Sequence, residues 1–217
     1  MRTRRRLILD QLLVSYSSLY KAPVLDVGGK KVNHRGLFRL SKFVEDNEVY
    51  VVNLDSSVNP DFCGDILDLP SLYSFNTIIC TETLEHLPDP QACLLKIFNS
   101  SKNSATLILS MPWLVPTHAD PFDYNRWTLY KLKQEIKASG FDLVAIHQMG
   151  AFVDVIVDLC HYKLLAITSN RFILRFWQIF LLMLSNFFPP RSIQLDPYNS
   201  NPSISTGWFI IARRRLL

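Results

Sequence analysis

Short apolar runs that alternate with longer mixed intervals restrict the fold of this chain more than any other feature. Each run has the length of a strand buried on both faces, as in a parallel sheet covered by helices on both sides. The intervals are long enough for helical crossovers, and residues 84–99 carry apolar side chains partly at helical spacing. The alternation predicts a doubly wound, mostly parallel α/β sheet. The four runs are residues 24–27, 49–54, 77–80 and 105–110.

The second half of the chain completes this sheet. Residues 129–139 are predicted to form a helix, because Gly140 follows them at the position of a helix C-cap. Further strands are predicted at residues 141–147 and 207–212. We expect seven strands in all, the last of which follows an insertion.

The insertion is apolar and has a helical pattern. Its halves, residues 151–168 and 172–188, are separated by Ser169 and Asn170, and Pro189 ends the second half. The predicted division is a sheet domain, residues 1–150 with 201–217, and a helical insertion, residues 151–200.

Composition and charge indicate a folded protein that does not bind nucleic acid. Apolar residues make up 48% of the chain and charged residues 19%, which suffices for a sizeable core. The net charge is +4, and seven arginines near the two ends supply +7, so 4 − 7 leaves −3 for the rest. A basic groove across the body is therefore not expected. The arginines either keep the ends solvated or contact anionic lipid; they are Arg2, Arg4, Arg5, Arg6, Arg213, Arg214 and Arg215.

The cysteines and the N-terminal segment predict a cytoplasmic protein. The four cysteines show no Cys-x-x-Cys spacing, so neither a zinc site nor a disulfide framework is expected. Residues 7–9 are apolar, but Asp10 and Gln11 then interrupt the stretch. The segment is predicted to start a helix rather than to serve as an export signal.

The first strand ends in Asp26-Val27-Gly28-Gly29, which turns the chain sharply at a sheet edge. In open α/β sheets ligands bind outside the carboxyl ends of the strands, and glycine lets the backbone approach them. Asp55 ends the second strand 27 residues beyond Gly28, where its carboxylate could accept hydrogen bonds from both hydroxyls of a ribose. These two features suit a nucleoside cofactor and a structural turn with a surface aspartate about equally.

Two further segments favour one cofactor. Asp65 and Ile66 stand before the next strand, where a carboxylate and the following amide suit the exocyclic amine and a ring nitrogen of adenine. The strand at residues 77–80 leads into Thr81-Glu82-Thr83-Leu84-Glu85-His86. With all these motifs in order over residues 24–141, the chain resembles the class I S-adenosylmethionine-dependent methyltransferases, particularly small bacterial ones with a Leu-Glu-His motif.

The resemblance implies a Rossmann-like fold, methyl transfer and S-adenosyl-L-methionine as the cofactor. The implied cofactor-binding residues are Asp26, Gly28, Gly29, Asp55, Asp65, Ile66, Thr81 and Glu82.

Residues 111–128, which follow the strand at residues 105–110, narrow the resemblance. They are similar to the loop with proline, histidine, aspartate and arginine in methyltransferases associated with surface-polysaccharide and glycolipid synthesis. This implies O-methylation of a sugar or of a lipid-linked glycan. Function transferred from a subgroup in this way is an analogy.

Within this loop His118 is the candidate base that removes the proton of an acceptor hydroxyl. The alternative is a histidine that only caps backbone groups. Asp120 and Arg126 complete the predicted catalytic set, and an internal salt-bridge network is the alternative for Asp120, Asp123 and Arg126. The predicted substrate-binding residues are His86, Trp113, Asp123 and Tyr124, although His86 could cap a helix and the aromatic residues could pack in the core.

One departure from the family pattern concerns the turn after the first strand. Lys30 and Val32 stand where the superfamily usually has glycines. Lys30 either reaches the carboxylate of the cofactor, or the pocket has lost its function. The same residues argue against an NAD-dependent oxidoreductase, because they deny a pyrophosphate its close approach. A non-catalytic subunit with a methyltransferase fold, acting as a scaffold at a membrane, is the alternative function.

The insertion contributes two further expectations. Asp154, Asp158 and His161 share one helix face at spacings of four and three residues, and we interpret this face as solvated, with no bound metal. Residues 172–188 are too short to span a bilayer. Core packing, a homodimer face and docking in the plane of a membrane remain open for that segment. The expected partners are a small-molecule or lipid-linked acceptor and, through residues 172–188, the inner face of the membrane.

Overall fold

The structure, a computed structural model, describes residues 3–32, 36–118, 122–198 and 202–216. Within these ranges the strands are β1 (Val24–Val27), β2 (Val49–Asn53), β3 (Phe62–Cys63), β4 (Phe75–Thr81), β5 (Ser101–Pro112), β6 (Phe141–Met149), β7 (Ser192–Leu195) and β8 (Gly207–Arg214). They form one sheet in the order β3-β2-β1-β4-β5-β8-β6-β7. Neighbours from β3 to β5 are parallel, whereas β8 and β7 pair antiparallel. The predicted doubly wound α/β fold is confirmed.

The described sheet has eight strands, whereas seven were expected. The strand β7 comes from the insertion, which is therefore not helical throughout, and it pairs with residues 146–149 of β6. The strand β6 continues to Met149, past its predicted end at residue 147. By pairing with this part of β6, β7 covers an edge that would otherwise present unpaired backbone groups.

The helices of the described residues are α1 (Arg4–Ser15), α2 (Pro90–Asn99), α3 (Leu129–Ala138), α4 (Phe152–Ile167) and α5 (Arg171–Phe187). The predicted helix at residues 84–99 starts late, because Pro90 lacks a backbone N–H and is suited to the first turn of a helix. Asp89 caps α2 by accepting a hydrogen bond from the Ala92 N–H at 2.9 Å. Residues Leu84–His86 form only a short 3₁₀ turn.

The sheet is buried on both faces, as the apolar runs predicted. Leu25 and Ile78 pack in a cluster with side chains of α2 and α3. Their neighbours Val24 and Ile79 pack in a second cluster with Ile8, Leu9, Leu12 and Leu13 of α1. Alternate residues of one strand thus serve opposite cores, and the carboxyl ends of the strands are held at a common edge.

The N-terminal end is bound to α4, which corrects two predictions. Arg4 and Arg5 are buried rather than solvated, and the face of Asp154, Asp158 and His161 is buried as well. Nε of Arg4 lies 2.6 Å from Oδ1 of Asp154, and the carboxylate of Asp158 accepts hydrogen bonds from the backbone N–H groups of Arg4 (2.7 Å) and Arg5 (3.1 Å). Asp158 therefore satisfies two backbone N–H groups at the N-terminus of α1, and Asp154 pairs with the Arg4 side chain.

The helix α5 does not form part of the core. The side chains of Phe172 and Phe176 are 86% and 75% exposed, so core packing is excluded for this face of α5. No helix in the described ranges is long and apolar enough to cross a membrane.

Candidate functional site

The turn after β1 has two consecutive glycines whose Cα atoms lie close to neighbouring side chains. Gly28 has a φ of +74°, in the left-handed region, and a Cβ there would lie 2.5 Å from Oγ1 of Thr83. A Cβ on Gly29 would lie 2.1 Å from Oδ2 of Asp26. Glycine is therefore required at position 28, whereas at position 29 a larger residue would have to displace the Asp26 side chain. Both glycines leave bare backbone at the carboxyl edge of the sheet.

Asn53, at the end of β2, holds this turn. Its amide donates hydrogen bonds to the carbonyl oxygens of Gly28 (3.1 Å) and Gly29 (2.8 Å). The Thr83 hydroxyl donates to the Val27 carbonyl at 3.0 Å from the other side. Sequence patterns do not single out Asn53, because asparagine is common at strand ends, and only the pairing of β2 with β1 gives it this position.

Two cavities adjoin at the carboxyl ends of β1, β2 and β4. The larger encloses about 670 Å³ and the smaller about 150 Å³. The residues that line both are Gly28, Lys30, Glu82 and His86. Of the other predicted residues, the smaller cavity is lined by Asp55, Asp65 and Ile66, and the larger by Asp26, Gly29, Thr81 and His118.

The two acids of the smaller cavity each begin a 3₁₀ turn. Oδ1 of Asp55 accepts a hydrogen bond from the Ser57 N–H, and Oδ1 of Asp65 accepts one from the Leu67 N–H, both at 2.9 Å. Hydrogen bonding to Ser57 lowers the pKa of Asp55, so its carboxylate is ionised at neutral pH. A carboxylate has a second oxygen that can accept hydrogen bonds from a ligand.

Asp26 differs from these acids because it is shielded by the turn that follows it. Burial raises the pKa of Asp26 to about 7. Its carboxyl group therefore gains and loses a proton close to neutral pH, directly beside the bare backbone of Gly29.

Glu82 follows β4 in a strained conformation. Its φ of +53° lies in the left-handed region, which costs about 1–3 kcal/mol for such a residue and persists only where surrounding contacts hold it. Those contacts are the Ser110 hydroxyl, which donates to Oε1 of Glu82 at 2.9 Å, and the guanidinium of Arg5, which forms an ion pair with the same carboxylate. Arg5 was predicted to be a solvated end residue and instead lines the larger cavity.

His86 and His118 both line the larger cavity, and their rings contact each other edge to face. Their ring centroids are 5.4 Å apart and the rings are nearly perpendicular. Nε2 of His86 lies 3.7 Å from Oε1 of Glu85, a fully buried carboxylate whose pKa is raised by burial. Side-chain N and O atoms of the three residues lie within 4.8 Å of one another. Such a set can transfer protons or bind a divalent cation, so the absence of a metal stays a prediction.

The loop that carries His118 is shaped by an ion pair. Both guanidinium nitrogens of Arg126 contact the carboxylate of Asp123, which also accepts a hydrogen bond from the backbone N–H of His118 at 2.9 Å. Burial lowers the pKa of His118. The salt-bridge network considered for this loop is thus present for Asp123 and Arg126, whereas Asp120 lies outside the described residues.

The two predicted aromatic contacts do not reach the cavities. Among the described residues, neither Trp113 nor Tyr124 lines either space. Trp113 packs against the main core, and the ring of Tyr124 is half exposed beside Phe122. The backbone N–H of Tyr124 instead donates to the carbonyl of Glu85 at 2.7 Å and fastens the loop to the 3₁₀ turn that follows β4.

Lys30 and Val32, which stand where the superfamily usually has glycines, have different environments. Lys30 lines both cavities and can extend its amine into either. Val32 is 42% exposed and is not among the described residues that line them. Only Lys30 can therefore affect a ligand in these spaces directly.

No protein-family model matches the chain, and no curated protein resembles it in sequence. Solved structures do resemble it in fold. A SAM-dependent methyltransferase from Archaeoglobus fulgidus aligns with a TM-score of 0.57 at 18% identity, over 96% of this chain and 94% of that chain. A 1,6-didemethyltoxoflavin-N1-methyltransferase from Burkholderia thailandensis, solved with 1,6-didemethyltoxoflavin and S-adenosylhomocysteine, aligns with a TM-score of 0.55 at 13% identity, over 97% and 78%.

The [4+2]-cyclase SpnF is similar to the same degree, with a TM-score of 0.55 at 13% identity over 96% of this chain and 80% of that chain. The chain therefore has the Rossmann-like fold of class I SAM-dependent methyltransferases. Since a cyclase shares it, the fold alone does not name the reaction.

Proposed function

We propose that the protein is an S-adenosyl-L-methionine-dependent methyltransferase that methylates a hydroxyl of a sugar or lipid-linked glycan. One observation carries the proposal. Two cavities adjoin at the switch point of the sheet, the smaller with acids suited to a nucleoside and the larger with a histidine suited to remove a proton.

The smaller cavity fits the nucleoside part of the cofactor. The free oxygen of Asp55 would accept hydrogen bonds from ribose hydroxyls, and Asp65 with the Ile66 amide would contact the edge of adenine. The bare backbone at Gly28 and Gly29 would lie against the methionine part, because both glycines line the larger cavity and glycine lets a ligand approach the backbone closely. When bound, the cofactor supplies a methyl group that its sulfonium makes electrophilic.

Lys30 and Glu82 would hold the amino-acid end of the cofactor. Both residues line both cavities, so they stand where the two spaces meet. The Lys30 amine would pair with the carboxylate, and the Glu82 carboxylate would accept from the ammonium group. This lysine would then compensate for the glycines that the turn lacks, since a charge pair can replace backbone N–H donors.

His118 would remove the proton from the acceptor oxygen. Its Nδ1 lies 3.3 Å from the Pro116 carbonyl and 3.4 Å from a guanidinium nitrogen of Arg126, and these contacts hold the ring at the wall of the larger cavity. Its lowered pKa keeps the ring neutral at pH 7. General-base catalysis of this kind contributes about 10²- to 10⁴-fold. Asp123 and Arg126 would act as positioning residues, because they fix the loop that carries His118.

A non-catalytic scaffold is the second candidate. Two observations favour it: Lys30 lines both cavities at a position where the superfamily usually has a glycine, and α5 exposes an apolar face that a membrane complex could cover. Such a protein would bind the cofactor and methylate nothing.

Both candidate functions require that the protein binds the cofactor, and calorimetry with S-adenosylmethionine and S-adenosylhomocysteine tests this binding. Failure to bind either one at millimolar concentration would contradict both. Mass spectrometry of cell-surface glycans with and without the gene then separates the two candidates. Loss of a methyl group when the gene is absent supports the enzyme. Cofactor binding with unchanged glycans, and with no methylated product on a glycan and glycolipid panel, supports the scaffold.

A further inference from the structure

The outer face of α5 is a continuous apolar surface. Phe172, Phe176 and Phe187 are 86%, 75% and 78% exposed. Spacings of four, three, four and four residues bring five side chains to one side of the helix, because such spacings repeat the 3.6-residue turn. They are Phe172, Phe176, Ile179, Met183 and Phe187, each at least half exposed. Contiguous apolar surface of this kind marks a binding or membrane surface in soluble proteins.

The opposite side of α5 attaches it to α4. The indole N–H of Trp177 lies 3.3 Å from Nδ1 of His161, and Leu174, Leu181 and Leu184 are only partly exposed. The helix α4 has exposed apolar side chains of its own, namely Phe152, Ile156 and Ile167. We call the five exposed apolar residues on the outer face of α5 the insertion surface.

The exposed charged side chains of α4 and α5 are all positive. Arg171 and Arg175 are exposed one turn apart at an edge of α5, and Lys163 is exposed on α4. The sequence of α5 contains no aspartate or glutamate. The acids of α4, Asp154 and Asp158, are buried against the start of α1 and do not face outward.

We propose that the insertion surface docks on an anionic phospholipid bilayer, with α5 lying in the plane of the interface. A helix of 17 residues is about 25 Å long, shorter than the roughly 30 Å of hydrocarbon in a bilayer. Its apolar face enters the acyl boundary, while Arg171 and Arg175 reach the lipid phosphates. A second copy of this chain is the less suitable occupant, because its α5 offers these arginines no carboxylate.

This inference extends the proposed function to the source of the acceptor. Tyr162 of α4 lines the larger cavity, and the adjacent His161 contacts Trp177 of α5, so α4 connects the cavity wall to the helix that carries the insertion surface. If the proposed function holds, the acceptor is lipid-linked and reaches the larger cavity from the membrane. Vesicle binding itself needs neither cofactor nor acceptor, so it is tested separately from methyl transfer.

The experiment is co-sedimentation of the full chain with vesicles of phosphatidylcholine alone and of phosphatidylcholine with 30 mol% phosphatidylglycerol. We expect binding to the anionic vesicles that salt weakens only in part. The double variant Phe172→Ser/Phe176→Ser should bind at least about tenfold more weakly, because two large apolar side chains no longer enter the bilayer. Arg171→Gln/Arg175→Gln should lose the preference for the anionic vesicles.

Leu72→Ser is the matched control, since Leu72 is 83% exposed and lies outside the insertion surface. It should bind as the wild type does, and circular dichroism should show all variants folded. Wild-type protein that stays in the supernatant with both vesicle types would overturn the proposal. The proposal would also be overturned if the wild type bound no vesicles but formed a concentration-dependent dimer, and the Phe172→Ser/Phe176→Ser variant stayed monomeric. That result would assign the surface to a second copy of the chain.

Discussion

The guanidinium of Arg5 forms an ion pair with the carboxylate of Glu82, and both side chains are more than nine-tenths buried. This contact joins the first turn of α1 to the end of β4, where the backbone is strained and both cavities meet. The N-terminal helix is therefore part of the candidate site.

Replacing Arg5 should destabilise the protein strongly. Arg5→Ala leaves the buried Glu82 carboxylate without its cation, and breaking a buried pair in this way costs about 3–5 kcal/mol. Urea unfolding measures the loss, and Arg5→Ala/Glu82→Ala should recover part of it. Arg215→Ala is the control, because its pair with Asp142 is exposed, and it should change the unfolding free energy far less. If Arg5→Ala and Arg215→Ala lowered the unfolding free energy equally, Arg5 and Glu82 would not interact as described.

Asp55→Ala should weaken S-adenosylmethionine binding by more than about tenfold, because a charged acceptor for the ribose is lost. Titration calorimetry on the folded variant measures the change. Asp68→Ala is a suitable control, since Asp68 is exposed and is not among the described residues that line either cavity. Unchanged affinity in Asp55→Ala would mean that the ribose binds elsewhere.

His118→Ala should lower turnover by about 10²- to 10⁴-fold with little change in cofactor affinity. In the wild type, kcat/KM should rise with pH through a pKa below the ordinary histidine value of about 6.5, because burial favours the neutral ring. The variant should lack this rise, and a chelator should leave the wild-type rate unchanged. A variant with the wild-type pH profile would exclude His118 as the base, and inhibition by the chelator would make the histidine cluster a metal site.

Asp26 should make stability depend on pH. Its folded pKa of about 7 exceeds the unfolded value of about 3.9, so its stabilising contribution is full below about pH 4 and is lost as the pH rises through 7. Relative to Asp26→Asn, the wild type should therefore lose unfolding free energy between pH 4.5 and 7.5. Denaturation at several pH values measures this difference. Asp142 is the control, because the pKa of its carboxyl is lowered, and Asp142→Asn should not show this loss between pH 4.5 and 7.5. If the difference between wild type and Asp26→Asn did not depend on pH, the assigned pKa of Asp26 would be wrong.

The sheet could be predicted from the chain because its strands are apolar on both faces. Val24 and Leu25 serve opposite cores, so the run reveals burial but not which helix covers it. The burial of Arg4 and Arg5 could not be predicted, since their partner Asp158 is more than 150 residues away in the sequence. The sequence pattern around an arginine is the same whether its side chain is solvated or forms a buried ion pair. Only the fold shows which partner lies close to it.

The candidate site was predictable where glycine and acids follow strands, and less so in the loop after β5. Gly28 and Asp55 reach the cavities as expected. Trp113 does not, because its ring packs against the core. The position of α5 was undetermined for a similar reason: a helix that is apolar on nearly all sides fits a core and a membrane surface alike, and only its neighbours distinguish the two.

The position of β8 between β5 and β6 has a consequence for biosynthesis. The strands β5 and β6 leave the ribosome well before β8, which is made only after the whole insertion. Until β8 arrives, the nascent sheet exposes two unpaired edges and the apolar side chains that Phe209 and Ile211 later cover. Folding is therefore completed by a pairing between distant parts of the chain, which is slower than the pairing of strands that are neighbours in the sequence.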